Sequence, residues 1–299
     1  MNGKQLLAAA ALVMMTASIV GGNRSYNKWK RAEISRIRSG GRLIETASGP
    51  VECHIEGSGP AILIAHGTPG GYDQGVAFSK LLDKKYTFIA VSRPGYLQTP
   101  LSSGRSPQEQ ADLYAALLDT LHISQATVVG ISGGAPSALQ FAIRHPERCQ
   151  KLVIVSGVTQ RYAAASWTPG KRLFRNAYDN IAAFGPLLFF LLPFAKFLPN
   201  ASIAEAFLHS QTASSLRKIG YDNDMEQFAH IDAYPYERIS APTFLLHGTA
   251  DQDVPFSDAE LLARRLPRVQ FLAIKGGNHS SFYTHAGLVR PLLNSFLKL

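Results

Sequence analysis

The pentapeptide Gly130-Ile131-Ser132-Gly133-Gly134 follows Thr127-Val128-Val129, overlaps the end of the strand expected at Thr127–Ile131 (TVVGI) and opens a helical stretch expected over Gly133–Arg144. A G-x-S-x-G sequence between a strand and a helix describes a sharp turn that lifts the serine hydroxyl off the sheet. Flanking glycines are needed there, because side chains at those positions would collide with neighbouring backbone. Ser132 is therefore the candidate nucleophile.

Working outward, a serine hydroxyl needs a base, and the base needs an orienting carboxylate. The expected strand Thr243–Leu246 (TFLL) is followed by His247-Gly248-Thr249-Ala250-Asp251-Gln252-Asp253-Val254-Pro255, and the expected strand Val269–Ile274 (VQFLAI) by Gly276-Gly277-Asn278-His279. The chain order Ser132, Asp251, His279 thus places each residue just beyond the C-terminal edge of a strand, where open α/β sheets build their sites. Asp253 is the competing acid; Asp251 lies nearer the strand end and is preferred. An acyl-transfer transition state also needs two fixed N–H donors for its oxyanion. Gly133, after the nucleophile, supplies one. The loop His66-Gly67-Thr68-Pro69-Gly70 after Ala61–Ala65 (AILIA) supplies the other, from Thr68, since Pro69 has no N–H.

The rest of the chain frames these motifs. Further strands are expected at Arg42–Thr46, Val51–Glu56, Phe88–Val91 and Leu152–Val155, and further helices at Gly75–Leu82, Ser106–Leu121, Ser257–Arg265 and Ala286–Leu297. Strand–helix alternation of this kind implies a doubly wound, mostly parallel sheet with helices on both faces. The rhythm breaks between Gly157 and Ile239, a stretch too long for a crossover, which reads as an inserted helical cap at about 158–239. Within it Ile181–Pro199 (IAAFGPLLFFLLPFAKFLP) is greasy, and Pro186 and Pro193 are expected to break any continuous spanning helix. Two readings stand for it: ordinary cap core, or an apolar lid that lines an acyl-chain tunnel or dips into a lipid interface.

Composition narrows the function classes. The 299 residues are 46% apolar and 17% charged, which excludes a disordered or collagen-like chain. The net charge of +9 suggests an anionic partner, but residues 1–42 hold eight basic side chains and one acid, leaving a net of only +2 for 43–299. Nucleic acid binding needs a basic face on the folded domain and is not expected. Leu6–Val20 is an uncharged run, preceded by Lys4 and followed by Gly21-Gly22 and then Arg24, Lys28, Lys30 and Arg31. Residues 1–22 read as a membrane anchor with the C-terminal side cytoplasmic by the positive-inside rule, or as a signal peptide cleaved near Thr16-Ala17-Ser18. Residues 23–42 read as a basic linker. Cys53 and Cys149 are expected to be unlinked thiols. His66 and His247 are expected to be structural, and His54, His209, His230 and His285 have no companion at metal-ligand spacing, so neither metal nor cofactor is implied.

Taken together, HGTPG (66–70), SRPGY (92–96), GISGG (130–134), HGTADQDVP (247–255) and GGNH (276–279) resemble the α/β-hydrolase superfamily in its serine branch, over residues 43–299. The resemblance implies an eight-stranded, mostly parallel sheet, a cap after the sixth strand, Ser132, His279 and Asp251 as a triad, and Thr68 and Gly133 as oxyanion donors. It implies hydrolysis of a small-molecule carboxylic ester, lipophilic in view of the apolar cap and the membrane-proximal arm. Hydrolysis of C–C or amide bonds, perhydrolysis and non-catalytic ligand binding are the alternatives. A serine nucleophile argues against the haloalkane dehalogenase and epoxide hydrolase branches, which resemble this fold with aspartate there, and the elbow differs from the G-G-S-W-G of proline iminopeptidases. Oligomeric state is not legible.

Overall fold

The computed structural model describes residues 23–162 and 181–298. Eight strands form one sheet in the order β1-β2-β4-β3-β5-β6-β7-β8. They are β1 Arg42–Ile44, β2 Val51–Gly57, β3 Ala61–Ala65, β4 Thr87–Val91, β5 Ala126–Ile131, β6 Cys149–Val155, β7 Thr243–Gly248 and β8 Val269–Ile274. β2 runs antiparallel to β1 and β4, and every other pairing is parallel. β3 and β8 have the bounds expected from sequence, and the other strands differ by one to three residues at an end.

Parallel strands covered on both faces need apolar side chains on both faces. In β3, Leu63 and Ala65 join one core cluster while Ile62 and Ile64 join the other; β6 divides likewise into Leu152 and Ile154 against Val153 and Val155. One face is covered by α3 (Pro107–Thr120), α4 (Ala135–Arg144) and α8 (Phe256–Arg265), through Leu113, Leu117, Phe141 and Leu262. The other is covered by α2 (Tyr72–Ser79) and α10 (Ala286–Lys298), through Phe78, Val289, Leu293 and Phe296. The start of α3 is written locally: the Ser106 hydroxyl accepts the Glu109 N–H, the Glu109 carboxylate accepts the Ser106 N–H, and Pro107 fills the first turn.

Between β6 and β7 the described chain carries α5 (Ile181–Leu191), a 3₁₀ turn (Leu192–Phe197), α6 (Ala201–His209) and α7 (Lys218–Phe228). Residues 163–180 of the expected cap lie outside the described residues. Pro186 sits inside α5, and the regular helix ends at Leu191, two residues before Pro193. Among the described residues no helix is long and apolar enough to cross a membrane. The run Leu6–Val20 lies outside them.

Residues 23–40, read from sequence as a linker, are helical and form α1. The sequence pattern conceals this because the buried side of α1 carries Glu33 beside Ile37. Glu33 accepts from Arg36 (3.0 Å) and Thr212 (3.1 Å) and meets the His209 ring at 3.0 Å. Burial raises the Glu33 carboxyl, but the hydrogen bond from His209 and the charge of Arg36 outweigh it, leaving it at about 2. Cys53 and Cys149 are buried and unlinked; burial pushes their thiols up to about 11 and about 12. α9 is a short turn at Ser281–Thr284.

Candidate active site

β5 delivers Ser132 at the edge of the sheet with φ +48°, a left-handed conformation that a non-glycine residue occupies at a cost of about 1–2 kcal/mol. A 3₁₀ turn (Ser132–Gly134) then leads into α4. The small residues have steric reasons. A Cβ on Gly130 would lie 2.7 Å from the Ala138 Cβ and 2.8 Å from the Ala135 Cα, and one on Gly134 would run into the carbonyl oxygens of Ala65 and His66.

His279 follows β8 and Asp251 follows β7, so the parallel sheet brings both to the end where Ser132 stands. The His279 Nε2 is 2.9 Å from the Ser132 Oγ, and its Nδ1 is 2.8 Å from the Asp251 Oδ2. A single tautomer satisfies both contacts: Nδ1–H donates to the carboxylate, and Nε2 accepts the serine hydroxyl. The second Asp251 oxygen accepts the N–H groups of Asp253 (2.8 Å) and Val254 (3.0 Å). Burial raises the Asp251 carboxyl, but hydrogen bonds from His247 and His279, with the Val254 N–H, hold it well below the usual carboxylate range. Asp251 is therefore an anion at neutral pH. Asp253, the competing acid, supplies a backbone N–H to Asp251. Asp251, Asp253 and His279 also bring ligand atoms within 4.8 Å of one another, but the His279 nitrogens already meet Asp251 and Ser132.

The loop after β3 closes over Ser132. A Cβ on Gly67 would lie 3.2 Å from the Ser132 Cβ, and one on Gly133 would strike the Thr68 Oγ1, so the two loops meet at Ser132. Gln74 of α2 braces the loop at both ends: its Oε1 accepts the Gly67 N–H (2.5 Å) and its Nε2 donates to the Pro69 carbonyl (3.1 Å). The Thr68–Pro69 peptide is cis. Among the described residues the Thr68 N–H has no acceptor.

Several residues that sequence reasoning left without a role support this site. Arg93, inside the SRPGY motif, is 1% exposed and pairs with Asp224 of α7, which is 2% exposed, through Nη1–Oδ1 (2.8 Å) and Nη2–Oδ2 (2.5 Å). The Thr68 hydroxyl donates to Asp224 and accepts from Arg93 (3.0 Å), and the buried Tyr96 hydroxyl donates to the same carboxylate (2.5 Å). Arg93 also donates to the His66 carbonyl at 2.9 Å. The His66 Nε2 accepts the Arg93 N–H (3.0 Å), so its Nδ1–H faces the Gly67 carbonyl (2.7 Å). Burial, reinforced by the charge of Arg93, holds that imidazole well below its ordinary range, so it is neutral. His247, expected to be structural, lies with its Nε2 3.2 Å from the Asp251 Oδ2 and 3.1 Å from the Val254 carbonyl, and so touches the acid directly.

In front of Ser132 and His279 opens a cavity of about 730 Å³, within the range of small-molecule sites. Phe207, Leu208, Tyr221, Met225 and Phe228, all from α6 and α7, form much of its apolar wall.

Fold and sequence comparison agree on the class. A family model described as alpha/beta hydrolase fold matches residues 60–286, and the chain belongs to that family of hydrolases. The structure superposes on an alpha/beta hydrolase fold protein from Nakamurella multipartita with a TM-score of 0.72 and 34% identity, covering 86% of this chain and 99% of that one. The sequence is 30% identical to a poly(3-hydroxyalkanoate) depolymerase of Ectopseudomonas oleovorans over 85% of this chain and 89% of the relative. It is 28% identical to a 2-hydroxymuconate semialdehyde hydrolase of Pseudomonas putida over 86% and 94%.

Proposed function

We propose that the protein is a serine hydrolase of lipophilic carboxylic esters, with Ser132 as nucleophile, His279 as general base and acid, and Asp251 as orienting carboxylate. The observation that carries this reading is the hydrogen-bonded line Ser132–His279–Asp251 at the mouth of a cavity with an apolar wall from α6 and α7. The Ser132 Oγ attacks the ester carbonyl carbon as its proton passes to the His279 Nε2. Asp251, ionised and aligned on Nδ1, stabilises the imidazolium. The N–H groups of Thr68 and Gly133 receive the oxyanion, each worth on the order of 10²–10³ in rate. His279 returns the proton to the departing alkoxide, leaving an acyl-Ser132 ester. Water, deprotonated by His279, then attacks that ester and regenerates the hydroxyl.

The apolar wall from α6 and α7 supports a lipophilic acyl group, and we assign the segment 158–239 as a cap over the site. Leu6–Val20 is assigned to membrane association on its sequence. The likeness to a poly(3-hydroxyalkanoate) depolymerase supports an ester bond. The likeness to a 2-hydroxymuconate semialdehyde hydrolase favours C–C hydrolysis as the second reading. Rates on p-nitrophenyl esters of graded acyl length, on lactones, on amides and on 2-hydroxymuconate semialdehyde separate the two. Turnover of an ester that is lost in Ser132→Ala is expected; turnover of the semialdehyde alone overturns the ester reading.

A further inference from the structure

His247 is the last residue but one of β7, and the sheet fixes its backbone opposite Ala273 of β8. Four residues later the chain has turned back and set the Asp251 carboxylate against the His247 ring. That ring is fully buried, with the edge of Phe256 packed near it at 6.1 Å between centroids. A buried imidazole is costly unless its nitrogens find partners, so the choice of partner is informative.

The His247 Nε2 lies 3.2 Å from the Asp251 Oδ2 and 3.1 Å from the Val254 carbonyl. Both are acceptors, so Nε2 carries the hydrogen and shares it between them. Among the described residues the His247 Nδ1 has no hydrogen-bond partner, which leaves the ring holding the acid without relaying a proton. The hold is doubled through Val254, which donates its N–H to the Asp251 Oδ1 (3.0 Å) and offers its carbonyl to His247. With the Asp253 N–H on Oδ1 (2.8 Å) and the His279 Nδ1–H on Oδ2 (2.8 Å), four donors meet the carboxylate. A carboxylate has about four lone-pair positions, so a turn of the Asp251 side chain breaks contacts at both oxygens together.

We infer that His247 is a positioning residue for the triad: its Nε2–H pins the Asp251 oxygen that faces His279 and tempers the charge this oxygen presents to that ring. The inference rests on the triad proposed above and adds how its acid is held. Burial raises the Asp251 carboxyl, and of the groups that lower it the hydrogen bond from His247 is the largest, ahead of that from His279. Without the Nε2–H, Oδ2 would present its charge to His279 alone, which favours the imidazolium. Other titratable groups around the pair, among the described residues, are Asp253, within 4.8 Å of Asp251 and His279, Tyr162, which feels both carboxylates, and Asp258 of α8 beside His247. All three stay in place when His247 alone is changed.

Three full-length variants test this. His247→Leu removes the donor, His247→Gln returns an amide N–H within reach of the Nε2 position, and Phe256→Leu loosens the packing on the ring while keeping its hydrogen bonds. The titration of the His279 ring is followed by NMR on histidine-labelled protein, assigned with His279→Ala, and kcat and KM are measured on p-nitrophenyl butyrate. In His247→Leu the His279 titration is expected to move to higher pH, and kcat to fall about 10- to 100-fold with KM little changed, as loss of an outer hydrogen-bond partner does. His247→Gln and Phe256→Leu are expected to stay near wild type in both. Should His247→Leu fail to fold by circular dichroism, His247→Asn, whose shorter amide stops short of Oδ2, takes its place with the same expectations. An unmoved His279 titration, a glutamine variant as impaired as the leucine one, or the same displacement in Phe256→Leu would overturn the inference. The titration needs no turnover, so a wild-type protein that cleaves no ester yet shows the shift would refute the ester reading while supporting this inference.

Discussion

Replacing Asp224 with asparagine isolates the contribution of the buried Arg93–Asp224 pair. Asparagine keeps an oxygen to accept the Tyr96 and Thr68 hydroxyls, so the change removes the negative charge while sparing most of the hydrogen bonding. Both partners are about 98–99% buried, so solvent cannot take over the lost interaction. Breaking one side of such a pair costs about 3–5 kcal/mol. For a domain of this size that corresponds to a fall in Tm of roughly 6–20 °C. Arg93→Met alone is expected to be similarly damaging, because it strands the carboxylate and frees the His66 carbonyl. The double variant Arg93→Met/Asp224→Asn removes both charges, and its loss is expected to be smaller than the sum of the two by about 1–3 kcal/mol. Urea unfolding of the four proteins at pH 7 measures this cycle. The Arg93 guanidinium left without its anion also donates to the Thr68 hydroxyl and the His66 carbonyl, so Asp224→Asn is also expected to shift that loop and lower kcat on a short ester by about 10- to 100-fold. An Asp224→Asn protein within about 0.5 kcal/mol of wild type, or two single losses that simply add, would refute the reasoning.

The remaining predictions concern the site and the N-terminal helix. Gly133→Ala drives a Cβ into the Thr68 hydroxyl and to 2.8 Å from the Phe228 ring, so kcat/KM is expected to fall about 10²–10³-fold while circular dichroism stays native. Asp251→Asn leaves His279 without its anion, and a loss in kcat approaching 10⁴-fold is expected in steady-state assays. Glu33 is lower in the folded protein, at about 2, than in the unfolded chain, near 4.5. Its contribution is therefore present above pH 4.5 and disappears as pH falls toward 2. Allowing for the partly exposed Arg36, Glu33→Gln is expected to cost about 1–2 kcal/mol at pH 7 and to flatten that acid-side loss in urea titrations.

The parts of the molecule that sequence exposes are those whose cause is local. Each central strand is a short apolar run between turn residues because both of its faces are buried, and AILIA at Ala61–Ala65 shows this directly. The elbow is legible because Gly130 and Gly134 answer to contacts along the same short segment and its sheet neighbour. Ser132, Asp251 and His279 follow from strand order, since a parallel sheet gathers all of its carboxyl ends on one side. What sequence conceals depends on distant partners. Asp224 lies 131 residues from Arg93, and no spacing rule joins them. The helix at 23–40 was hidden by Glu33, a charge that burial tolerates only because Arg36, His209 and Thr212 surround it. His247 reads as an ordinary strand-end residue until the turn at 249–254 folds Asp251 back onto it.

The central claim is that Ser132 is the activated nucleophile. Intact-protein mass spectrometry after treatment with a fluorophosphonate, followed by peptide mapping, tests it most directly. The account predicts one adduct per chain, on the peptide containing Ser132, absent from Ser132→Ala and strongly slowed in His279→Ala. No adduct on the native protein, an adduct on another residue, or a Ser132→Ala protein that is still labelled and still hydrolyses esters at the wild-type rate would contradict it.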